Sequence, residues 1–81
     1  MKFTFIVEKN GSTLIEQFDG KDVWEATKRW FRDSESEPGP PRELDDPSPI
    51  EDVVNVWCIS GIDSNGSFFL VNIVGTKYDD I

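Results

Sequence analysis

The stretch FTFIVEKNGSTLIEQF, residues 3–18, decides the fold because it encodes a β-hairpin. Two runs rich in β-branched and aromatic residues flank Asn10-Gly11, and Asn-Gly is preferred in two-residue turns, where both central residues need a positive φ. Such a turn pairs Val7 with Leu14. Alternation along the paired runs then predicts one apolar core face, made of Phe3, Phe5, Val7, Leu14 and Phe18, with Phe3 opposite Phe18.

The segment from Lys21 to Arg32 predicts a helix that follows this hairpin. Acidic residues lie early in it and basic residues late, which is the order that the helix macrodipole favours. Asp19 is the expected N-cap, since its carboxylate can accept hydrogen bonds from first-turn amides. An apolar stripe at helical spacing, widened by Trp24 and Phe31, predicts the core-facing side: Val23, Ala26, Thr27 and Trp30.

Two further β-branched runs, residues 52–62 and 67–76, predict a second hairpin across a turn at residues 63–66. One face of this hairpin is expected to carry Val54, Val56, Cys58, Ile62, Phe69, Val71 and Ile73. The opposite face is expected to carry Asn55, Trp57, Ile59, Phe68, Leu70, Asn72 and Val74. Both faces are apolar, which is typical of strands that are buried on two sides.

The element order ββαββ predicts an α+β fold, in which a four-stranded antiparallel sheet of two hairpins carries one helix on one face. The chain of 81 residues is expected to form a single small domain, residues 1–81, with a long acidic, proline-rich loop at residues 34–51. The strand order stays open. One helix covers one face, so a homodimer, a partner protein or the loop folding back must account for the other.

Most of the negative charge lies in one segment. The net charge is −8, and Asp33–Asp52 holds eight acids and one base, a net charge of −7. This segment would repel nucleic acid, so we expect no direct nucleic-acid binding, and it would attract a basic protein surface. A segment of this length within a small domain is either an inert, disordered linker or a functional element, and the sequence leaves both readings open.

Side chains that support catalysis or metal binding are sparse in this chain. It has no histidine and no glycine-rich phosphate loop, and its one cysteine, Cys58, is expected inside a buried strand. The acidic pairs lie in a segment that cannot hold them in a catalytic geometry, and they lack the EF-hand spacing. We therefore expect no enzymatic activity, no metal and no cofactor.

The expected compartment is the cytoplasm. The single cysteine fits a reducing environment, and the chain shows neither a signal peptide nor an apolar run long enough to cross a membrane. We expect no membrane partner.

Together these features favour a non-enzymatic protein–protein interaction module, analogous in size and charge to acidic inhibitors and immunity-like proteins that bind a basic partner. The alternatives are a homodimeric structural module that pairs through an apolar sheet face, and a small enzyme or enzyme subunit. The predicted partner-binding residues of the acidic loop are Glu35, Glu37, Glu43, Asp45, Asp46 and Glu51. Those of the sheet face are Trp57, Ile59, Phe68 and Leu70.

Overall fold

A computed structural model of the chain describes residues 1–33, 43–44, 46–63 and 66–77. In chain order, its elements are β1 Lys2–Lys9, β2 Ser12–Asp19, α1 Val23–Asp33, β3 Glu43–Leu44, β4 Ser48–Pro49, β5 Val56–Ile62 and β6 Phe68–Thr76. The strands form one antiparallel sheet in the order β2-β1-β6-β5, with β3 and β4 both pairing with β5. The α+β fold with one helix on a sheet is confirmed. The predicted number of four strands is wrong, because β3 and β4 occupy a fifth strand position at the edge beside β5.

The first hairpin has the predicted register. Val7 pairs with Leu14 and Phe3 pairs with Phe18. Asn10 and Gly11 have φ angles of 53° and 77°, the left-handed values that a two-residue hairpin turn of this kind requires. The core prediction fails for Leu14, which is 41% exposed because β2 is the edge strand of the sheet.

The core lies between the sheet and α1. The rings of Phe5 and Trp30 stack with centroids 5.6 Å apart and planes 6° apart. The Phe18 ring packs edge-on against Phe5 with centroids 5.8 Å apart, and the Phe69 and Trp30 ring centroids are 6.2 Å apart. The helical stripe is buried as predicted, at Val23, Ala26, Thr27 and Trp30. The sheet contributes Phe3, Phe5, Val7, Ile59, Phe69, Val71 and Ile73.

The helix begins at Val23, two residues later than predicted, and Asp22 caps it in place of Asp19. The Glu25 N–H donates to the Asp22 carboxylate at 2.9 Å, and the Glu25 carboxylate accepts from the Lys21 N–H at 3.0 Å. These two hydrogen bonds resemble a capping box. In a standard capping box the glutamate accepts from the N–H of the capping residue itself, whereas here it accepts from Lys21, one residue earlier. Asp19 is instead the last residue of β2.

The turn of the second hairpin is one residue shorter than predicted. The Asp63 N–H donates to the Ser67 carbonyl at 2.9 Å, so the ladder of paired residues continues to these two positions. Gly66 has a φ of 83°, and its N–H donates to the Asp63 carbonyl at 3.0 Å. Three residues therefore separate the last paired positions, Asp63 and Ser67, and the third of them, Gly66, is left-handed.

The shorter loop moves the whole of β5 to the opposite parity, since a shift of one residue turns every side chain to the other face. Ile59 pairs with Val71 and is 1% exposed on the helix side. Trp57 is on the same side and packs against Phe3, with ring centroids 5.8 Å apart. The predicted placement of Trp57 and Ile59 on the face away from the core is therefore wrong. The residues expected in the core that instead lie away from α1 are Val56, Cys58 and Ile62.

The segment 34–51, expected to be a loop, contains two short strands. β3 pairs with Ile62 and Gly61, and β4 pairs with Cys58 and Trp57. Pro49 within β4 fits an edge position, where the absent N–H interrupts no ladder. Part of the acidic segment therefore forms the outer edge of the sheet beside β5.

Asp63 holds the second turn, so its replacement should destabilise the protein. It is 2% exposed, its carboxylate accepts from the Ser67 N–H at 2.9 Å, and it lies 3.5 Å from the Lys9 ammonium. Asp63→Ala removes the acceptor and should lower the free energy of unfolding by about 1–3 kcal/mol. Asp63→Asn keeps an acceptor and should cost less. Urea denaturation followed by tryptophan fluorescence measures both, and equal losses would contradict this role of the carboxylate.

Gly75 allows Phe3 and Trp57 to pack over β6. A Cβ added at Gly75 would lie 3.0 Å from Phe3 Cε1 and 3.2 Å from Trp57 Cζ3. Gly75→Val should displace both rings and lower the free energy of unfolding by about 1–3 kcal/mol. Near-UV circular dichroism should change with it. The exposed neighbour Thr76 offers the control Thr76→Val, and a Gly75→Val variant as stable as that control would contradict the prediction.

Candidate functional site

The sheet face that points away from α1 is not covered by any element within the described residues. We call it the open face. Its apolar side chains, none of them fully buried, are Ile6, Ile15, Val56, Cys58, Ile62, Phe68, Leu70 and Val74. Its uncharged polar side chains are Thr4, Thr13, Gln17, Ser60 and Asn72.

The register arranges these side chains in rows that cross the sheet. One row runs through four strands as Ile15, Ile6, Asn72 and Cys58. The next row runs as Thr13, Glu8, Leu70 and Ser60. Side chains directly opposite one another on one face have Cβ atoms about 4.5–5.5 Å apart. The apolar groups therefore share one face, on which polar side chains interrupt them: Asn72 in the first row and Thr13, Glu8 and Ser60 in the second.

Two large side chains of the open face are mostly in solvent: Phe68 is 64% exposed and Ile15 is 62% exposed. The Gln17 amide donates to the Thr4 hydroxyl at 3.0 Å, so this polar pair is satisfied within the face. Contiguous apolar surface with polar neighbours is typical of an interaction site in a soluble protein.

Acidic residues border the open face on the β5 side. β3 begins at Glu43, which pairs in register with Ile62. Asp46 and Glu51 are exposed in the same segment. Within the face itself, Glu8 places an exposed carboxylate between Thr13 and Leu70. Asp46 and Glu51 beside the face and Glu8 within it therefore each contribute negative charge.

The helix exposes a second apolar pair, Trp24 at 50% and Phe31 at 40%. Lys28, at helical spacing from both, is exposed beside them. Arg32 donates two hydrogen bonds to Asp33, at 2.8 and 2.9 Å, and these lower the pKa of the Asp33 carboxyl below its ordinary value. In contrast to the open face, this surface has a cation between its aromatic rings.

The structure separates the predicted partner-binding residues. Phe68 and Leu70 lie on the open face, whereas Trp57 and Ile59 pack on the helix side. Of the acidic residues, Asp46 and Glu51 are exposed and Glu43 lies in β3. Outside the described residues lie Glu35, Glu37 and Asp45.

The sequence interpretation missed several members of the open face. Those of β5 are Val56, Cys58 and Ile62. Their alternation is visible in the sequence, but the length of the loop before β6 decides which of the two sheet faces they join. Those of the first hairpin are Ile6, Glu8 and Ile15. Their alternation already places them opposite the core face, and that signal could have found them.

Comparison with models of protein families, with curated proteins and with solved structures found no match to this chain. Among the described residues, no helix has the length and apolar character needed to cross a membrane. The same part of the chain contains no group of three or more cysteine, aspartate or glutamate side chains positioned to hold a metal ion.

A pair of variants tests which face each strand residue joins. Ile59→Ala should lower the free energy of unfolding by about 2–5 kcal/mol, because it removes a fully buried side chain. Phe68→Ala should change it by less than about 0.5 kcal/mol, because most of that ring is already in solvent. Thermal and urea denaturation give both values. A large loss at Phe68 together with a small one at Ile59 would reverse our assignment of the faces.

Proposed function

We propose that the protein is a non-enzymatic interaction module that docks its open face on a protein whose apolar patch is rimmed by lysine and arginine. The observation that carries this proposal is the uncovered face of the sheet, which presents eight apolar side chains and is bordered by the exposed acids Asp46 and Glu51 of the segment beside β5. The proposal concerns the whole face and requires no catalytic group.

The apolar side chains supply the affinity in this proposal. Phe68 and Ile15 retain most of their surface in solvent, and full burial of such a side chain is worth about 1.5–3 kcal/mol. Both lie on the open face, at different strands, so one flat partner surface can cover them together with Leu70. Flat sheet faces pack in this way in two-layer proteins, about 10 Å apart.

The acidic charge selects the partner in this proposal. A net charge of −8, concentrated between Asp33 and Asp52, accelerates encounter with a positively charged surface and disfavours an acidic one. The same argument disfavours the helix surface as the docking site, since Lys28 would repel a basic partner there.

Selective loss of binding tests the proposal. Immobilised protein captures partners from a lysate of its host, and Phe68→Ser and Ile15→Ser should both abolish capture of the same protein. Trp24→Ser is the matched control, because it removes an aromatic side chain of similar exposure from the opposite side of the molecule. Capture should also weaken as the salt concentration rises. A partner retained by both open-face variants would contradict the proposal.

Two further measurements identify the occupant of the open face. The only cysteine of the chain, Cys58, is half-buried on this face, so a docked partner should slow its alkylation by a maleimide. Sedimentation of the isolated protein tests self-association. A dimer that Phe68→Ser dissociates would assign the open face to a second copy and would overturn the proposed basic partner.

A further inference from the structure

A depression lies on the open face, at the end where the β1–β2 turn meets the start of β6. Its volume is about 460 Å³. Residues of both polar and apolar character line it, among them Glu8, Asn10, Gly11, Thr13, Phe68 and Leu70. A hollow of this size accommodates one long side chain of a partner.

Glu8 supplies the charge of this depression. It is exposed, and within the described residues no cation forms an ion pair with it. Lys9 also lines the depression, but its ammonium lies 3.5 Å from the buried carboxylate of Asp63. A partner that covers the open face must therefore provide a positive group for Glu8, because an unpaired carboxylate is costly to remove from water.

The surroundings of Glu8 select the shape of that positive group. Phe68 offers an exposed ring, and Leu70 lies directly opposite Glu8 in register, so an aliphatic stem can pack on apolar surface before its charged end reaches the carboxylate. Thr13 lies opposite Glu8 on the other strand and adds a hydroxyl acceptor. A planar guanidinium has five donors and stacks on aromatic rings, which matches this set better than an ammonium.

The geometry points to an arginine side chain of the docked protein as the occupant of this depression. Its guanidinium lies between the Glu8 carboxylate and the Phe68 ring, and its stem lies along Leu70. This inference rests on the proposed function, since it names the chemistry that the partner presents at one point of the open face.

A titration without any partner tests the site directly. The probe is N-acetyl-arginine amide, followed by proton–nitrogen NMR of the full chain. We expect shifts centred on the backbone amides of Gly11, Thr13 and Leu70. The lysine analogue should bind more weakly. The citrulline analogue, which keeps the shape of arginine and lacks its charge, should give no shifts at these amides.

Matched charge variants complete the test. Glu8→Gln should lower the affinity for the arginine probe by about tenfold or more. Glu16→Gln removes the same charge from the helix side of β2, where Glu16 lies opposite Phe5 in register, and should leave the affinity unchanged. Equal binding by the Glu8→Gln variant, equal shifts with citrulline, or shifts centred on Asp46 and Glu51 would each overturn the inference.

The outcomes separate this inference from the proposed function. If arginine binding requires Glu8 but partner capture is unchanged in Phe68→Ser and Ile15→Ser, the arginine site is supported and the proposed function is contradicted. If capture requires Phe68 and Ile15 but Glu8→Gln binds the probe as well as wild type, the docking face is supported and the arginine site is contradicted.

Discussion

The turn at Asp63 is the constraint on which the two faces of the sheet depend. Its buried carboxylate accepts from the Ser67 N–H, and its backbone pairs with Ser67, which leaves three residues between the last paired positions. The loop length sets the parity of β5 relative to β6. That parity places Ile59 beneath the helix and leaves Cys58 on the open face. The length of one turn thereby sets which residues of β5 enter the core and which join the candidate docking surface.

Local chemistry made the first hairpin and the helix predictable. Asn10-Gly11 admits essentially one tight turn, and the alternation on both sides then leaves one register that buries Phe3 and Phe5. The buried stripe of α1 follows from spacing in the same way. Leu14 departs from its pattern because alternation identifies a face and does not show that β2 lies at the edge of the sheet, which only the tertiary arrangement decides.

The second hairpin and the fifth strand position could not be predicted for physical reasons. Residues 56–62 and 68–74 are apolar on both faces, so hydrophobic patterning does not distinguish two registers that differ by one residue. The strands β3 and β4 have two residues each, and β4 contains Pro49, so neither has a periodic signal. Their pairing with β5 comes from the edge that β5 presents. The acidic part of the candidate site is therefore visible in the sequence as composition, and its position beside the open face is not.

Glu8 shows how a surface of this kind can gain specificity. In the isolated protein the carboxylate is solvated and has little cost. When a partner covers it, burial of the carboxylate costs free energy unless a cation of the partner pairs with it. Glu8 therefore favours a basic partner and disfavours binding of a purely apolar surface. The penalty applies equally to a second copy of the chain. Within the described part of the open face, Lys9 at the depression lies 3.5 Å from the Asp63 carboxylate, and Lys2 lies opposite Asp19 in register at the far end of the strand. A sheet face that carries Glu8 among its apolar side chains thus discriminates against self-association while it remains available to a partner of the opposite charge.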